Sequence, residues 1–145
     1  MPLFLSAWPW LSHARSDKAV ACDRLTEICE SLAGTPYVWG GESRGGADCS
    51  GFVYLVCKMY GRPIPRVTAR KLWVLFNGAA VSWQEAGCGY FVWWTFSAGR
   101  PFGHVGIMVE PPAFWQSGRS AGVYRRSFFE GSFWDTHFAG AKAGL

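Results

Sequence analysis

A glycine-rich loop that runs into an apolar stretch constrains this chain more than any other feature. The loop holds four glycines between positions 40 and 46 and ends in Asp48-Cys49-Ser50-Gly51. Residues 52–56 are all apolar or aromatic, and Gly61 follows shortly after them. Because Asp favours the N-cap and Gly the position after a helix, the pattern predicts a buried helix over about residues 49–60.

Cys49 would lie in the first turn of that helix, which makes it a candidate nucleophile. Free backbone N–H groups and the helix dipole favour an anion there, so the sequence predicts thiolate over thiol. A thiolate is an activated nucleophile. The alternative is a small cysteine that only packs in the core, and the rest of the chain has to decide between the two.

The other cysteines are predicted to be core residues. The five cysteines of the chain are Cys22, Cys29, Cys49, Cys57 and Cys88. Their odd number and their spacing match neither a zinc ribbon nor a CxxC motif, and the first two would share one helix face. We therefore expect no disulfide framework and no metal site, which fits folding in a reducing cytosol.

Length and charge define the broad class. A chain of 145 residues that is 50% hydrophobic and only 17% charged can bury the core of one globular domain. The net charge of +4 without a basic run argues against nucleic acid as a partner and suits approach to an anionic polymer. No stretch is apolar enough to span a membrane, and residues 2–12 lack the basic region of a signal peptide. The localisation stays open.

Predicted helices precede predicted strands. Residues 1–15 are interpreted as an irregular N-terminal arm and residues 16–145 as a single domain. Helical periodicity predicts helices over residues 16 or 17 to 33, 49–60 and 68–76. Short β-branched or aromatic runs predict strands over 79–83, 90–95, 105–109, 113–116 and 123–126. This order predicts an α+β domain in which N-terminal helices pack on a central antiparallel sheet.

His104 is the candidate base, because it opens a predicted strand and has glycines on both sides. If residue 109 pairs with residue 113 across a turn at 110–112, Gln116 becomes a diagonal neighbour of His104 on one sheet face. The same register directs Ser117 to the other face. The Gln116 carbonyl could then accept the imidazole N–H and fix its tautomer. The alternative is a strand-end histidine bonded to a backbone carbonyl.

Other residues are candidates for binding the substrate. The Cys49 backbone N–H and the Tyr37 hydroxyl could stabilise an oxyanion, although Tyr37 could also be plain aromatic core. We expect Tyr37, Trp39 and Trp115 to line an aromatic cleft.

A substrate carboxylate is the predicted partner of Arg44 or Arg66, because guanidinium binds carboxylate in a bidentate way. The alternative is that both arginines are solvated, or that Arg66 braces the connector in which it lies.

Four motifs together resemble the NlpC/P60 family. They are residues 35–41 (Thr-Pro-Tyr-Val-Trp-Gly-Gly), 48–53 (Asp-Cys-Ser-Gly-Phe-Val), 64–66 (Ile-Pro-Arg) and 103–107 (Gly-His-Val-Gly-Ile). The resemblance implies a papain-like α+β fold and a cysteine peptidase or amidase that cuts bacterial cell-wall peptides. The usual bond joins γ-D-glutamate to a diamino acid such as diaminopimelate.

The resemblance also assigns roles to residues. It makes Cys49 the nucleophile, His104 the base, Gln116 the third polar residue and Tyr37 the tyrosine on the oxyanion side. Asp48 and Ser50 match a motif that helps to shape the substrate cleft. Chemistry of this kind needs no metal and no cofactor. The chain departs from the family where Gly-Asp-Leu is replaced by Gly87-Cys88-Gly89-Tyr90 and His-Ala by Gln116-Ser117.

The substrate implied by the resemblance is a peptidoglycan peptide. A catalytic domain of this size resembles enzymes that are delivered by a phage tail or by secretion machinery, where an immunity protein would be a further partner. Two other functions stay open. One is a papain-like thiol acyltransferase, which needs a long apolar groove. The other is a non-catalytic phage-tail or secretion-associated binding module.

Overall fold

Five strands form one antiparallel sheet at the centre of the computed structural model, which describes residues 20–145. These strands are β3 (Tyr90–Trp94), β4 (His104–Met108), β5 (Ala113–Gly118), β6 (Gly122–Ser127) and β7 (Phe138–Ala143). Across the sheet their order is β6-β5-β4-β3-β7. A separate short hairpin joins β1 (Glu42–Ser43) to β2 (Gly46–Ala47). The predicted α+β class is confirmed.

The helices are α1 (Cys22–Ser31), α2 (Cys49–Tyr60), α3 (Ala69–Leu75) and the single turn α4 (Phe133–Thr136). Helix α2 begins and ends as its sequence predicts. The Asp48 carboxylate accepts the backbone N–H of Gly51 at 2.7 Å, and Gly61 adopts the left-handed conformation with φ of 94°. The Gly41 carbonyl packs so closely on Gly51 that a Cβ at position 51 would overlap it. This contact holds the glycine-rich loop against the start of α2.

The sheet buries a different core on each face. On one face, α1, α2 and α3 pack their apolar sides around Phe52, Leu72 and Trp93, which are almost completely buried. On the other face the packing is largely aromatic, with Trp94, Phe114 and Phe128 at its centre. The helical layer therefore positions Cys49 from one side of the sheet, whereas the aromatic layer covers the other side.

Two sequence-based boundaries differ from the structure. Helix α1 begins at Cys22, so the predicted start at residue 16 or 17 is wrong for Val20 and Ala21; residues 1–19, including the proposed arm and the domain boundary, lie outside the described part. The predicted strand at 79–83 is reduced to a single bridge between Val81 and Ala141. Strand β7, which forms that bridge, was missed because its small residues lack the β-branched pattern of a strand.

The expectation of no disulfide is wrong. Cys22, the first residue of α1, forms a disulfide with Cys88 in the turn before β3, 66 positions later. Cys29 and Cys57 are free and buried, as predicted. Spacing along one helix face could not reveal a partner so distant in sequence. Because disulfides persist in oxidising compartments, the inference of a reducing cytosol also loses its basis.

Candidate active site

Cys49 is the first residue of α2 and is half-buried beside the start of β4. Burial raises the pKa of its thiol to about 11. Backbone N–H groups of Val105 and Ser50 hydrogen-bond the sulfur and lower that pKa, but burial outweighs them. The prediction that the helix start favours thiolate over thiol is therefore wrong.

His104 contacts Gln116 as the predicted hairpin register requires. In the structure Ile107 pairs with Trp115, and the Val109 N–H donates to Ala113 across the turn. His104 Nε2 lies 2.6 Å from Gln116 Oε1. A carbonyl oxygen can only accept, so Nε2 carries the proton and Nδ1 is left unprotonated. Burial lowers the pKa of His104 to about 4, although the Gln116 bond raises it.

Cys49 is linked to His104 by a backbone hydrogen bond from the neighbouring residue. The backbone N–H of Val105, the residue that directly follows His104, contacts the Cys49 sulfur. The side chains of Cys49 and His104 line one cavity of about 1130 Å³. Within residues 20–145 no hydrogen bond joins the thiol directly to the imidazole. Since burial keeps each group neutral, thiolate and imidazolium are expected to form together, when their opposite charges compensate each other.

Arg66 forms a network with the loop that carries Cys49. Its guanidinium lies 3.0 Å from Asp48 Oδ1 and 3.4 Å from a Glu42 carboxylate oxygen, and it donates to Ser50 Oγ at 2.9 Å. The second Asp48 oxygen accepts the N–H of Gly40 at 2.8 Å. Arg66 thus lines the cavity and braces this loop at the same time, whereas the alternative interpretation had it brace the connector in which it lies.

The other candidates are divided between the cavity, the surface and the core. Tyr37 lines the cavity half-buried, and Trp39 lines it with 73% of its surface exposed. Arg44 lies outside the cavity lining and donates to the Ser31 carbonyl at 3.1 Å. Trp115, which was expected in the cleft, is instead buried in the core beneath the helices.

Several cavity residues were missed by sequence reasoning. Cations and aromatic rings from four different segments reach the cavity, namely Arg70, Arg100, Arg119, Phe96, Phe133 and Trp134. For Arg100 and Phe96 a signal existed, because both closely precede His104 in sequence. For Phe133 and Trp134 none existed, because α4 reaches His104 only through the folded sheet.

The described residues form neither a cluster of metal ligands nor a helix that could span a membrane. In residues 20–145, no three His, Cys, Asp or Glu side chains come together in a way that would hold a metal ion. No helix in the same part of the chain has the length and apolar character that crossing a membrane requires.

Most of the chain is similar to known proteins. The NlpC/P60 family model matches residues 34–143. Murein DD-endopeptidase MepH of Escherichia coli K12 is 34% identical over 111 residues, which is 75% of this chain and 41% of that protein. Probable endopeptidase NlpC of the same organism is 30% identical over 128 residues, covering 88% of this chain and 80% of that protein. The chain spans between 33% and 60% of the length of the first three curated relatives.

Solved structures share the fold. The crystal structure of an NlpC/P60 family protein from Bacillus cereus superposes with a TM-score of 0.70 at 25% identity, covering 91% of this chain and 43% of that one. The NlpC/p60 domain of the peptidoglycan hydrolase SagA gives a TM-score of 0.59 at 29% identity, over 74% of this chain and 90% of that domain. The motifs, the family model and the fold agree, and this chain belongs to the NlpC/P60 family.

Proposed function

We propose that this chain is a cysteine hydrolase that cuts the peptide stems of peptidoglycan, at the bond between γ-D-glutamate and a diamino acid. The observation that carries the proposal is one arrangement of three side chains. His104 Nε2 is held 2.6 Å from Gln116 Oε1, while the Cys49 sulfur accepts the N–H of the residue that follows His104. Cys49, His104 and Gln116 line one cavity, where they would act as nucleophile, base and orienting group.

The reaction would proceed in two halves. The Cys49 proton passes to His104 Nδ1 as the sulfur attacks the scissile carbonyl carbon and forms a tetrahedral oxyanion. Its collapse breaks the C–N bond, the leaving amine takes the proton from His104, and a thioester remains. Water then gives a proton to His104 and attacks the thioester, and the second collapse releases the acid as Cys49 regains its proton.

Two donors are available for the oxyanion. The backbone N–H of Cys49, at the start of α2, has no hydrogen-bond acceptor among residues 20–145. Tyr37 lines the same cavity and could offer its hydroxyl, and its segment is fixed because the Ala47 N–H donates to the Pro36 carbonyl at 3.0 Å. Donors that are held in place before the charge develops stabilise it without reorganisation.

Relatives support the substrate class and leave a choice of bond. MepH is named a murein DD-endopeptidase, whereas relatives from Bacillus cereus and Bacillus subtilis are named gamma-D-glutamyl-L-lysine dipeptidyl-peptidases. We favour the γ-D-glutamyl bond, which the family resemblance implies, and the motif residues Asp48, Ser50 and Tyr37 line the cavity together with Cys49.

Digestion of defined muropeptides tests the proposal. The wild-type protein and Cys49→Ala are incubated with purified muropeptides, and mass spectrometry identifies the new ends. We expect wild type alone to release fragments that end in γ-D-glutamate. Cleavage between D-alanine and the diamino acid would contradict the choice of bond. Acyl transfer to an added amine without hydrolysis would favour a thiol acyltransferase, and no reaction in any substrate would favour a binding module.

A further inference from the structure

Trp39 is the most exposed large apolar side chain in the described part of the chain, with 73% of its surface accessible. The other tryptophans of residues 20–145 are buried or half-buried. Trp39 also lines the cavity that holds Cys49 and His104, so this exposed ring lies at the cavity rim. A large ring left open at the mouth of a cavity is typical of a binding surface.

Hydrogen bonds hold the turn that carries Trp39. The Gly41 N–H donates to the Val38 carbonyl at 2.8 Å, and Gly40 has the positive φ of 76° that the third residue of a type II turn requires. The Gly40 N–H donates to Asp48 Oδ2 at 2.8 Å, which fixes the turn against the start of α2. The backbone that carries the indole is therefore held in place before a ligand binds, and this lowers the entropy cost of binding.

The location of this turn decides which part of the substrate it meets. In the proposed reaction His104 gives its proton to the leaving amine, so the acyl part of the substrate extends from Cys49 away from His104. The turn is bonded to Asp48, which directly precedes Cys49, and not to the strand that begins at His104. We therefore place Trp39 beside the acyl part.

The acyl part of a peptidoglycan stem leads to the glycan strand. In the proposed substrate γ-D-glutamate supplies the scissile carbonyl, L-alanine precedes it, and the lactyl group of an N-acetylated sugar precedes L-alanine. An extended residue spans at most about 3.6 Å, so two residues separate the sugar from the scissile carbon by roughly 7 Å. The sugar of an attached stem would therefore lie near the cavity rim.

The charges of the cavity disfavour a stem that has been released from its sugar. Such a free peptide begins with an ammonium group on L-alanine. The charged residues that line the cavity are mostly cations, namely Arg66, Arg70, Arg100 and Arg119 against Glu42 and Asp48. Arg66 already pairs with both acids, at 3.4 Å and 3.0 Å. Among the described residues of the cavity, no acid is left to compensate an ammonium group, whereas an attached stem carries a neutral amide there.

We propose that Trp39 is a platform on which the sugar of the glycan strand stacks, and that this protein cuts stems attached to glycan in preference to free peptides. This inference rests on the proposed function and narrows its substrate class. The ring face packs on the C–H groups of the sugar, while the indole N–H donates to a sugar oxygen. Preference then comes from stacking on one substrate and from charge repulsion of the other.

The test compares three forms of one stem peptide, which carry at the N-terminus a disaccharide, an acetyl group or a free ammonium group. For wild type we expect kcat/KM to be roughly three- to tenfold higher with the disaccharide than with acetyl, the size of one aromatic stacking contact. The acetylated form should exceed the free form by roughly two- to fivefold, the size of an exposed charge interaction. Because the sugar is remote from the reacting atoms, the first difference should lie in KM.

Trp39→Ala should abolish the difference between disaccharide and acetyl and leave that between acetyl and ammonium. Trp39→Phe, which keeps a smaller ring, should retain part of the first difference. Phe133→Ala is the matched control, because it removes another exposed ring of the same cavity, on α4, and should leave both ratios unchanged.

Equal cleavage of the disaccharide and acetyl forms by wild type would overturn the platform and leave the proposed function intact. A preference that persists in Trp39→Ala would overturn the assignment to Trp39, and faster cleavage of the free form would overturn the preference for attached stems. If wild type cuts none of the three, calorimetric binding to Cys49→Ala decides. Binding that needs the disaccharide and is weakened by Trp39→Ala supports the platform although the proposed function fails. Binding that is absent or independent of the sugar contradicts both.

Discussion

The hydroxyl of Ser117 donates a 2.7 Å hydrogen bond to the backbone carbonyl of Ala47. Both residues are completely buried and lie 70 positions apart in sequence. Ala47 ends the short hairpin just before Cys49, whereas Ser117 follows Gln116 on β5 and points to the opposite sheet face. One hydrogen bond therefore connects the loop that carries Cys49 to the strand that carries Gln116.

Ser117→Ala should separate these two parts of the site. The Ala47 carbonyl would stay buried without a donor, which costs about 1–3 kcal/mol in the free energy of unfolding. We expect kcat to fall because Cys49 and His104 lose their common anchor. Tyr60→Phe is the matched control, since it removes a hydroxyl that accepts the Ala21 N–H at 2.8 Å, far from the cavity. Similar loss of stability but unchanged kcat in both variants would contradict the anchoring role.

The local features of this site were predictable from the sequence, whereas the contacts made by folding were not. Asp48 and Gly61 determine the ends of α2 through interactions within a few residues. The register of β4 and β5 followed from a short turn and the alternation of strands, which placed Gln116 beside His104. The Cys22–Cys88 disulfide depends on a tertiary contact across 66 positions that leaves no trace in local sequence.

The contacts of Arg66 were likewise not predictable from the local sequence. Its place after a proline connector indicated rigidity, but the choice between a substrate carboxylate and an internal one depended on where Asp48 and Glu42 lie in the fold. The pKa of Cys49 is a second example, because the helix start is visible in the sequence and the burial that outweighs it is not.

Thiol reactivity should depend on His104. Burial raises the pKa of the Cys49 thiol to about 11, at which roughly one molecule in ten thousand would carry thiolate at pH 7. As the proposed base, His104 should accept the proton in wild type, and alkylation by iodoacetamide should then level off well below pH 11. In His104→Ala it should keep rising toward pH 11. Peptide mapping identifies the labelled residue, and buried Cys29 and Cys57 serve as internal controls. Identical profiles for both proteins would show that His104 is not the base.

Gln116→Ala should lower kcat and shift its pH dependence. The Gln116 bond raises the pKa of His104 against burial, so its loss should lower a pKa that is already about 4. The imidazolium that must protonate the leaving amine then becomes harder to form, and the acid limb of the kcat profile should move to lower pH. We expect a loss of roughly 10- to 1000-fold, below the ~10⁴-fold effect of neutralising a charged orienting residue. An unchanged profile would exclude Gln116 as the third residue.

Removal of the Cys22–Cys88 disulfide should affect stability rather than chemistry. In the chain-entropy treatment, a cross-link over 66 positions stabilises the fold by about 4 kcal/mol. Cys22→Ser combined with Cys88→Ser should therefore lower the Tm, and dithiothreitol should lower the wild-type Tm but not that of the double variant. Neither cysteine lines the cavity, so kcat at 25 °C should stay within about twofold while the protein is folded. Loss of kcat before unfolding would contradict this separation.

The loop before His104 is held by a stack of three side chains. Phe102 has a φ of 54°, which is unusual for a non-glycine residue, and its N–H donates to Thr95 Oγ1 at 2.8 Å. Its ring stacks on Trp73 with centroids 4.1 Å apart. Lys142 Nζ lies 3.7 Å from the Trp73 ring and donates to the Trp73 and Phe76 carbonyls. The stack thereby connects the β4 start to α3 and β7.

Phe102→Leu should lower kcat by more than its loss of stability alone would explain. Leucine fills much of the space but cannot stack on Trp73, so the left-handed turn would relax and displace His104. We expect at least a tenfold loss in kcat, because small displacements of a base cost up to about 100-fold. Phe102→Tyr keeps the stack on Trp73 and should retain the kcat of wild type. Phe76→Leu, which weakens the 5.1 Å contact with Phe91 in the same core, is the control for stability alone. Equal kcat in Phe102→Leu and Phe76→Leu at matched stability would show that the stack does not position His104.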